Sequence, residues 1–192
     1  MAAHDSNEGG HDFVLVLSGV ADLDPRVMDA LFEAGCDDAT PSLRLGRVTL
    51  MFARVAASLK AAILSAIADV HRAGIGASVL SVDSRDLVSQ ADIARRIGRT
   101  RQMVGQYLSG RRGPGQFPAP VRDLTEGHPL WAWSEVSSWL CQNGIVGEEV
   151  LRESREVAII NSTLEFVRQR RWDPELTGEV ARLAEIEAST PA

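Results

Sequence analysis

Residues 89–108 read Ser-Gln-Ala-Asp-Ile-Ala-Arg-Arg-Ile-Gly-Arg-Thr-Arg-Gln-Met-Val-Gly-Gln-Tyr-Leu. Two short helices and a sharp turn account for every position. Ser89 is an N-cap, with Asp92 three residues on as its capping-box partner. Ile93 and Ile97 share one helical face, as do Met103 and Tyr107, and Val104 and Leu108. Ala94 is small where two helices must cross closely. Gly98 supplies the positive φ that a tight turn requires. Thr100 caps the second helix, about 100–108, which stops before Gly110. This is a helix-turn-helix pattern, which places its second helix in the DNA major groove. The exposed positions are Arg99, Arg101, Gln102 and Gln106. Arg suits guanine edges or phosphates and Gln suits adenine edges. A helical hairpin with a solvated Arg-rich face fits this stretch, taken alone, equally well.

The following residues favour DNA. Arg111-Arg112-Gly113-Pro114-Gly115 leads into Phe117-Pro118-Ala119-Pro120-Val121. A polar stretch from Arg122 to Pro129 precedes Leu130-Trp131-Ala132-Trp133, which reads as a short strand. Ser134 is the expected cap of a helix that turns Val136, Trp139 and Leu140 to one side. Residues 86–141 resemble the winged helix-turn-helix of bacterial MerR-type and excisionase-like DNA-binding proteins, in which a Phe-Pro-x-Pro segment and a Trp-rich strand build the wing. The resemblance implies DNA contacts at the second helix and at a wing of about 113–133. Carried onto this chain, the contacts are Arg99, Thr100, Arg101, Gln102, Gln106 and Tyr107, with Arg111, Arg112 and Arg122 near the wing.

Charge agrees. The chain carries −6 overall, yet Arg85 to Arg122 holds eight Arg and two Asp, so the segment is +6 and the remainder −12. Local basicity in an acidic protein marks a phosphate-binding face. Arg is used nineteen times and Lys once across the whole chain, a bias that follows genome composition rather than chemistry.

The length of 192 residues suits one large domain or two small ones, and 45% hydrophobic residues allow real cores. No apolar run reaches membrane-spanning length and no signal peptide is visible. Cys36 and Cys141 lie far apart with no Cys or His at metal spacing, so a reduced cytoplasmic protein is expected.

The N-terminal half is expected to be α+β. Residues 1–12 read as a disordered tail. Phe13–Leu17 is a strand. Asp24-Pro25 opens a helix with Val27, Met28, Leu31 and Phe32 on one face, ended by Gly35. Residues 39–45 and 48–55 form a hairpin around Gly46-Arg47. Ser58 caps a helix carrying Leu59, Ile63, Ile67 and Val70, and residues 77–82 make a fourth strand. The order βαββαβ over residues 13–84 is that of ferredoxin-like and ACT-like domains. Such domains commonly bind small ligands or pair through sheet edges, so a small-molecule or protein effector would bind there. The pair Asp37-Asp38 reads as a solvated strand start in preference to a metal contact. Arg44, Arg47 and Arg54 read as a charged, solvated sheet edge.

Residues 148–188 form C-terminal helices. The first, 148–171, places Val150, Val157 and Leu164 seven apart, and Ile160 and Val167 likewise. This short seam suits packing on its own chain or pairing with another helix. A homodimer is expected because one short recognition helix reads few base pairs, and the seam of Val157, Ile160, Leu164 and Val167 is the favoured surface. Asn161-Ser-Thr matches a glycosylation acceptor only formally.

Catalytic patterns are lacking. His4, His11, His71 and His128 are not spaced as metal ligands, no Ser or Cys has a nucleophile setting, and Gly110–Gly115 lacks a phosphate loop's Lys-Ser/Thr ending. A transcriptional regulator without a cofactor is therefore expected. An excisionase-like architectural factor and a protein–protein adaptor that has lost DNA affinity are the rival readings.

Overall fold

The computed structural model describes residues 9–82, 86–122 and 127–189. The expected tail before Gly9, and wing residues 123–126, lie outside the described residues. The chain is α+β, with a four-stranded antiparallel sheet and helices followed by a largely helical C-terminal half.

In the first half, β1 (Gly9–Ser18), α1 (Pro25–Glu33), β2 (Ala39–Arg44), β3 (Arg47–Ala56), α2 (Leu59–Arg72) and β4 (Ser78–Val82) follow in order. The strands lie as β2-β3-β1-β4. Strand β1 begins at Gly9, paired with Ala56, so residues 9–12 are strand rather than tail. Backbone pairing there does not need apolar side chains, which is why the hydrophobic pattern starts only at Phe13. Asp24 and Ser58 cap the two helices as expected, each accepting from a backbone N–H three residues on. The hairpin turn is Leu45-Gly46, one residue earlier than expected. One sheet face carries Phe13, Leu15, Leu17, Val48, Leu50 and Phe52, all buried under α1 and α2 through Leu31, Ile63, Ala66 and Val70.

Arg54 overturns the expectation of a solvated edge. Along β3, Val48, Leu50, Phe52 and Arg54 alternate onto the same inward face, and Arg54 is only 8% exposed. Its Nε and Nη2 donate to the two Asp38 oxygens at 2.8 and 2.9 Å. Nη1 donates to Asp69 Oδ2 at 2.7 Å and to Ser65 Oγ at 2.9 Å. Nη2 also reaches the Gly35 carbonyl at 2.7 Å. The guanidinium lies 4.8 Å from the Phe52 ring centre. Asp38 is therefore a half-buried ion-pair partner rather than a solvated strand start. The hydrogen bond to Asp38 holds the Arg54 pKa above its ordinary value despite burial. Burial pushes the neighbouring Cys36 thiol up to about 11, so it stays protonated at neutral pH.

The second half contains β5 (Leu87–Val88), α3 (Gln90–Arg96), α4 (Arg101–Leu108), β6 (Trp131–Ala132), α5 (Trp133–Gln142), α6 (Glu148–Arg170) and α7 (Pro174–Ser189). A second core gathers Val88, Ile93, Ala94, Val104, Tyr107, Trp131, Val136, Trp139 and Leu140. Ser134 does not cap α5: the helix opens at Trp133 with Ala132 at the cap position and no side-chain cap.

Helix α6 touches both cores. Val157, Ile160 and Leu164 pack against the sheet domain, so most of the seam expected to pair with another helix is used within the chain. Val167 alone of the four stays exposed. Asn161 Nδ2 donates to the Val82 carbonyl (2.9 Å) and its Oδ1 accepts from Val82 N (2.7 Å), so one amide satisfies the open rim of edge strand β4. The same Nδ2 donates to Asp86 Oδ2 (2.5 Å). Ser154 meets Ser137 of α5, Oγ to Oγ, at 2.6 Å in a buried contact.

Replacing Arg54 by Ala would leave Asp38 without its ion-pair partner and Asp69 with Arg72 alone, at an expected cost of about 3–5 kcal/mol. Arg54→Lys should recover little, because an ammonium cannot reproduce the forked contacts. Urea denaturation followed by circular dichroism measures both. A loss for Arg54→Ala below that of an ordinary surface substitution would show that the network contributes nothing.

Candidate nucleic-acid interface

The two helices expected to read DNA form where the sequence places them. Ser89 Oγ accepts from Asp92 N (3.2 Å) and Asp92 Oδ2 accepts from Ser89 N (3.0 Å), completing the capping box. These hydrogen bonds, the Ser89 hydroxyl first, hold the Asp92 carboxyl below the usual carboxylate range. The cap is thus fully charged at neutral pH and weakens only as pH falls through that lowered value. Gly98 adopts φ +60°, and Arg99 N returns to the Ala94 carbonyl at 2.9 Å. Thr100 Oγ1 accepts from Met103 N at 3.2 Å to start α4. Gln90 Nε2 donates to the Arg101 carbonyl (2.8 Å) and lies where a Cβ on Gly105 would meet it at 3.0 Å. The Gln90 side chain thus lies over α4 at Gly105, a position the sequence pattern did not single out.

The loop after α4 is pinned by aromatic rings. Trp139 Nε1 donates to the Gly115 carbonyl (2.9 Å), and Trp131 Nε1 to the Pro118 carbonyl (3.0 Å). Tyr107 and Phe117 sit tilted on Trp139, with ring centres 5.3 and 5.0 Å away. Gly113, at φ +81°, rests on the Trp139 ring, where a Cβ would come within 3.1 Å. The Arg111-Arg112 pair is thus carried on a loop whose backbone is anchored a few residues on. Bridge Arg122–Leu130 and the β5–β6 pair close the remainder.

Placement of the expected contact residues is mixed. Arg99, Thr100, Arg101, Gln102, Arg111, Arg112 and Arg122 are exposed, and Gln106 is half-exposed. Arg99, Arg101, Arg111 and Arg112 make no side-chain hydrogen bond or ion pair with any described residue. Arg122 donates only to its neighbour's carbonyl, Val121 O, at 3.2 Å. Thr100 is occupied as a cap. Tyr107 is a correction: at 7% exposure against Trp139 it belongs to the core and supports the loop from beneath. Its i+4 relation to Met103 indicates that inward face. Arg95 is paired with Asp92, and Arg96 lies over the Trp133 ring at 4.6 Å, so the basic segment is not uniformly free.

Elsewhere a small cavity of about 180 Å³ opens between the two halves, lined by Phe13, Ile63, Asp86, Trp133, Glu153 and Val157 among others. Among the described residues no group of three or more His, Cys, Asp or Glu is placed to hold a metal, and no helix is long and apolar enough to cross a membrane. No protein-family model, curated protein or solved structure matches this chain.

Burial pushes the Glu153 carboxyl above its ordinary pKa, helped by Glu149 nearby. A carboxyl with a raised folded pKa costs stability once ionised, so stability falls as pH rises through that value. Glu153→Gln should raise the melting temperature at neutral pH and leave it unchanged in acid, where the native carboxyl is already protonated. Equal effects at both pH values in thermal scans would show that ionisation is not what the site resists.

Proposed function

We propose that this protein is a sequence-specific DNA-binding transcriptional regulator. In this reading residues 86–141 are a winged helix-turn-helix, and the N-terminal sheet domain is a ferredoxin-like unit that α6 holds against it. Helix α4 enters the major groove by its N-terminal turn. Arg101 and Gln102 face base edges there, Arg99 meets the phosphate beside them, and Arg111 and Arg112 grip the backbone from the anchored loop.

One observation carries the reading: four exposed arginines, Arg99, Arg101, Arg111 and Arg112, flank both ends of α4 with no carboxylate partner among the described residues. The contrast with Arg54 supports it. Where this chain uses arginine structurally, it supplies carboxylates to match. Unmatched guanidinium groups on a rigid surface, in a chain whose remainder is acidic, fit an external polyanion. The acidic remainder disfavours coating of DNA by the rest of the molecule.

Selection of bound duplexes from random DNA, followed by titration at several salt concentrations, tests this. Affinity should fall with salt at a log–log slope of roughly −0.9 per phosphate contact. Arg101→Ala or Gln102→Ala should each cost about 1–3 kcal/mol and relax preference at one base position. Arg111→Ala should weaken binding to all sequences alike. If no duplex is enriched, or if Arg101→Ala selects the same site with the same stringency, the orientation given to α4 is wrong.

A further inference from the structure

Helix α7 buries none of its described side chains. Leu176, Val180 and Leu183 recur at i, i+4 and i+7, forming one stripe, and each is more than half exposed. A lone helix of about 12–15 residues is marginal in water, and Thr177 and Gly178 lower the propensity of this one further. An apolar stripe of this kind persists as helix when something covers it.

The same chain carries an uncovered groove. Helices α2 and α6 leave a trough of about 510 Å³ walled by Leu64, Ile67, Ile159, Ile160 and Leu164. Leu64 is 51% and Ile159 65% exposed. Two charges stand in its wall. The Glu156 carboxylate has one long ion pair, Oε1 to Lys60 Nζ at 3.5 Å, while its Oε2 is buried with no donor. Lys60 is itself 55% exposed at the side chain. The α7 stripe offers the complementary pair. Arg182 adjoins Leu183, and its Nε reaches only the Gly178 carbonyl at 3.3 Å. Glu179 adjoins Val180 and has no ion-pair partner among the described residues.

We propose that α7 of a second copy of this chain occupies the α2–α6 groove, reciprocally, so that the protein is a dimer joined by exchanged C-terminal helices. Leu176, Val180 and Leu183 cover the trough, Arg182 supplies the donor that Glu156 Oε2 lacks, and Glu179 meets Lys60. In a single chain α7 leaves both its own stripe and the groove uncovered, and the turn that launches it has its own set of contacts. Trp172 N donates to the Gln169 carbonyl at 2.9 Å, Asp173 Oδ1 accepts from Leu176 N at 2.9 Å, and the Arg168 guanidinium lies 5.3 Å from the Trp172 ring centre. The pairing does not rest on DNA binding.

Analytical ultracentrifugation of the full chain without DNA tests it. The wild type should be a dimer. Leu183→Asp on the helix and Ile159→Asp in the groove should each yield monomers with unchanged circular dichroism from the sheet domain, because both residues are exposed in a single chain. Arg182→Glu and Glu156→Arg should each raise the dimer dissociation constant about tenfold or more, and the two together should restore it. A monomeric wild type, a dimer untouched by both aspartates, or a charge swap that fails to restore pairing would overturn the proposal. None of these results bears on whether the monomer binds DNA.

Discussion

The amide of Asn161 meets the backbone of Val82 through both its oxygen and its nitrogen, and then reaches Asp86. An edge strand offers unpaired donors and acceptors that other chains can exploit, and one side chain on α6 satisfies those of Val82. The contact sits where the chain leaves the sheet domain, just before β5 and α3. Helix α6 is thereby fixed in register against β4. That register sets Val157, Ile160 and Leu164 on the first core, and Ser154 on Ser137 of α5. The serine pair is small enough for two helices to approach closely. Each hydroxyl also reaches its own i−3 carbonyl, so two protons serve three contacts and the pair tolerates neither bulk nor an added charge.

In this arrangement α6 contacts both halves, β4 and α2 on one side and α5 on the other. A ligand or partner that altered the packing of β4, α2 or α6 would be felt at α5, whose Trp139 holds both the Gly115 carbonyl and the ring of Tyr107 beneath the Arg111-Arg112 loop. The cavity between the halves lies on that route, with Glu153 held above its ordinary pKa at one wall. Packed side chains and hydrogen bonds are thus continuous from the sheet domain through α6 and α5 to the Arg111-Arg112 loop.

What the sequence made legible was what is decided locally. Caps at Asp24, Ser58, Ser89 and Thr100, and the positive-φ turns at Gly98 and Gly110, depend on residues a few positions apart. The order of strands and helices followed from the same signals. Positions decided by distant partners were harder. Arg54 alternates with Val48, Leu50 and Phe52, so its inward side was readable, but a lone arginine reads as surface until Asp38 and Asp69 are brought to it. Asn161 looked like part of a formal acceptor motif because its partners, Val82 and Asp86, lie more than seventy residues away. Tyr107 illustrates the limit within the interface. The resemblance placed it among the DNA contacts, whereas its spacing from Met103 put it on the inward face, and packing followed the spacing.

Arginines in this fold differ in how they are partnered. Arg54 donates to two carboxylates, a hydroxyl and a carbonyl, and so carries no field outward. Arg72 shares Asp69 with it, and Arg95 and Arg168 are each matched by an acid one turn away on the same helix. Arg99, Arg101, Arg111 and Arg112 have no such partner among the described residues, although the chain has more acidic residues than basic ones. These four arginines, unpaired over a core that holds three packed aromatic rings, place positive charge around both ends of α4. A planar donor fork with no internal acceptor, repeated at both ends of one short helix, is suited to oxygen acceptors supplied by another molecule, and phosphate and guanine edges present them in that geometry.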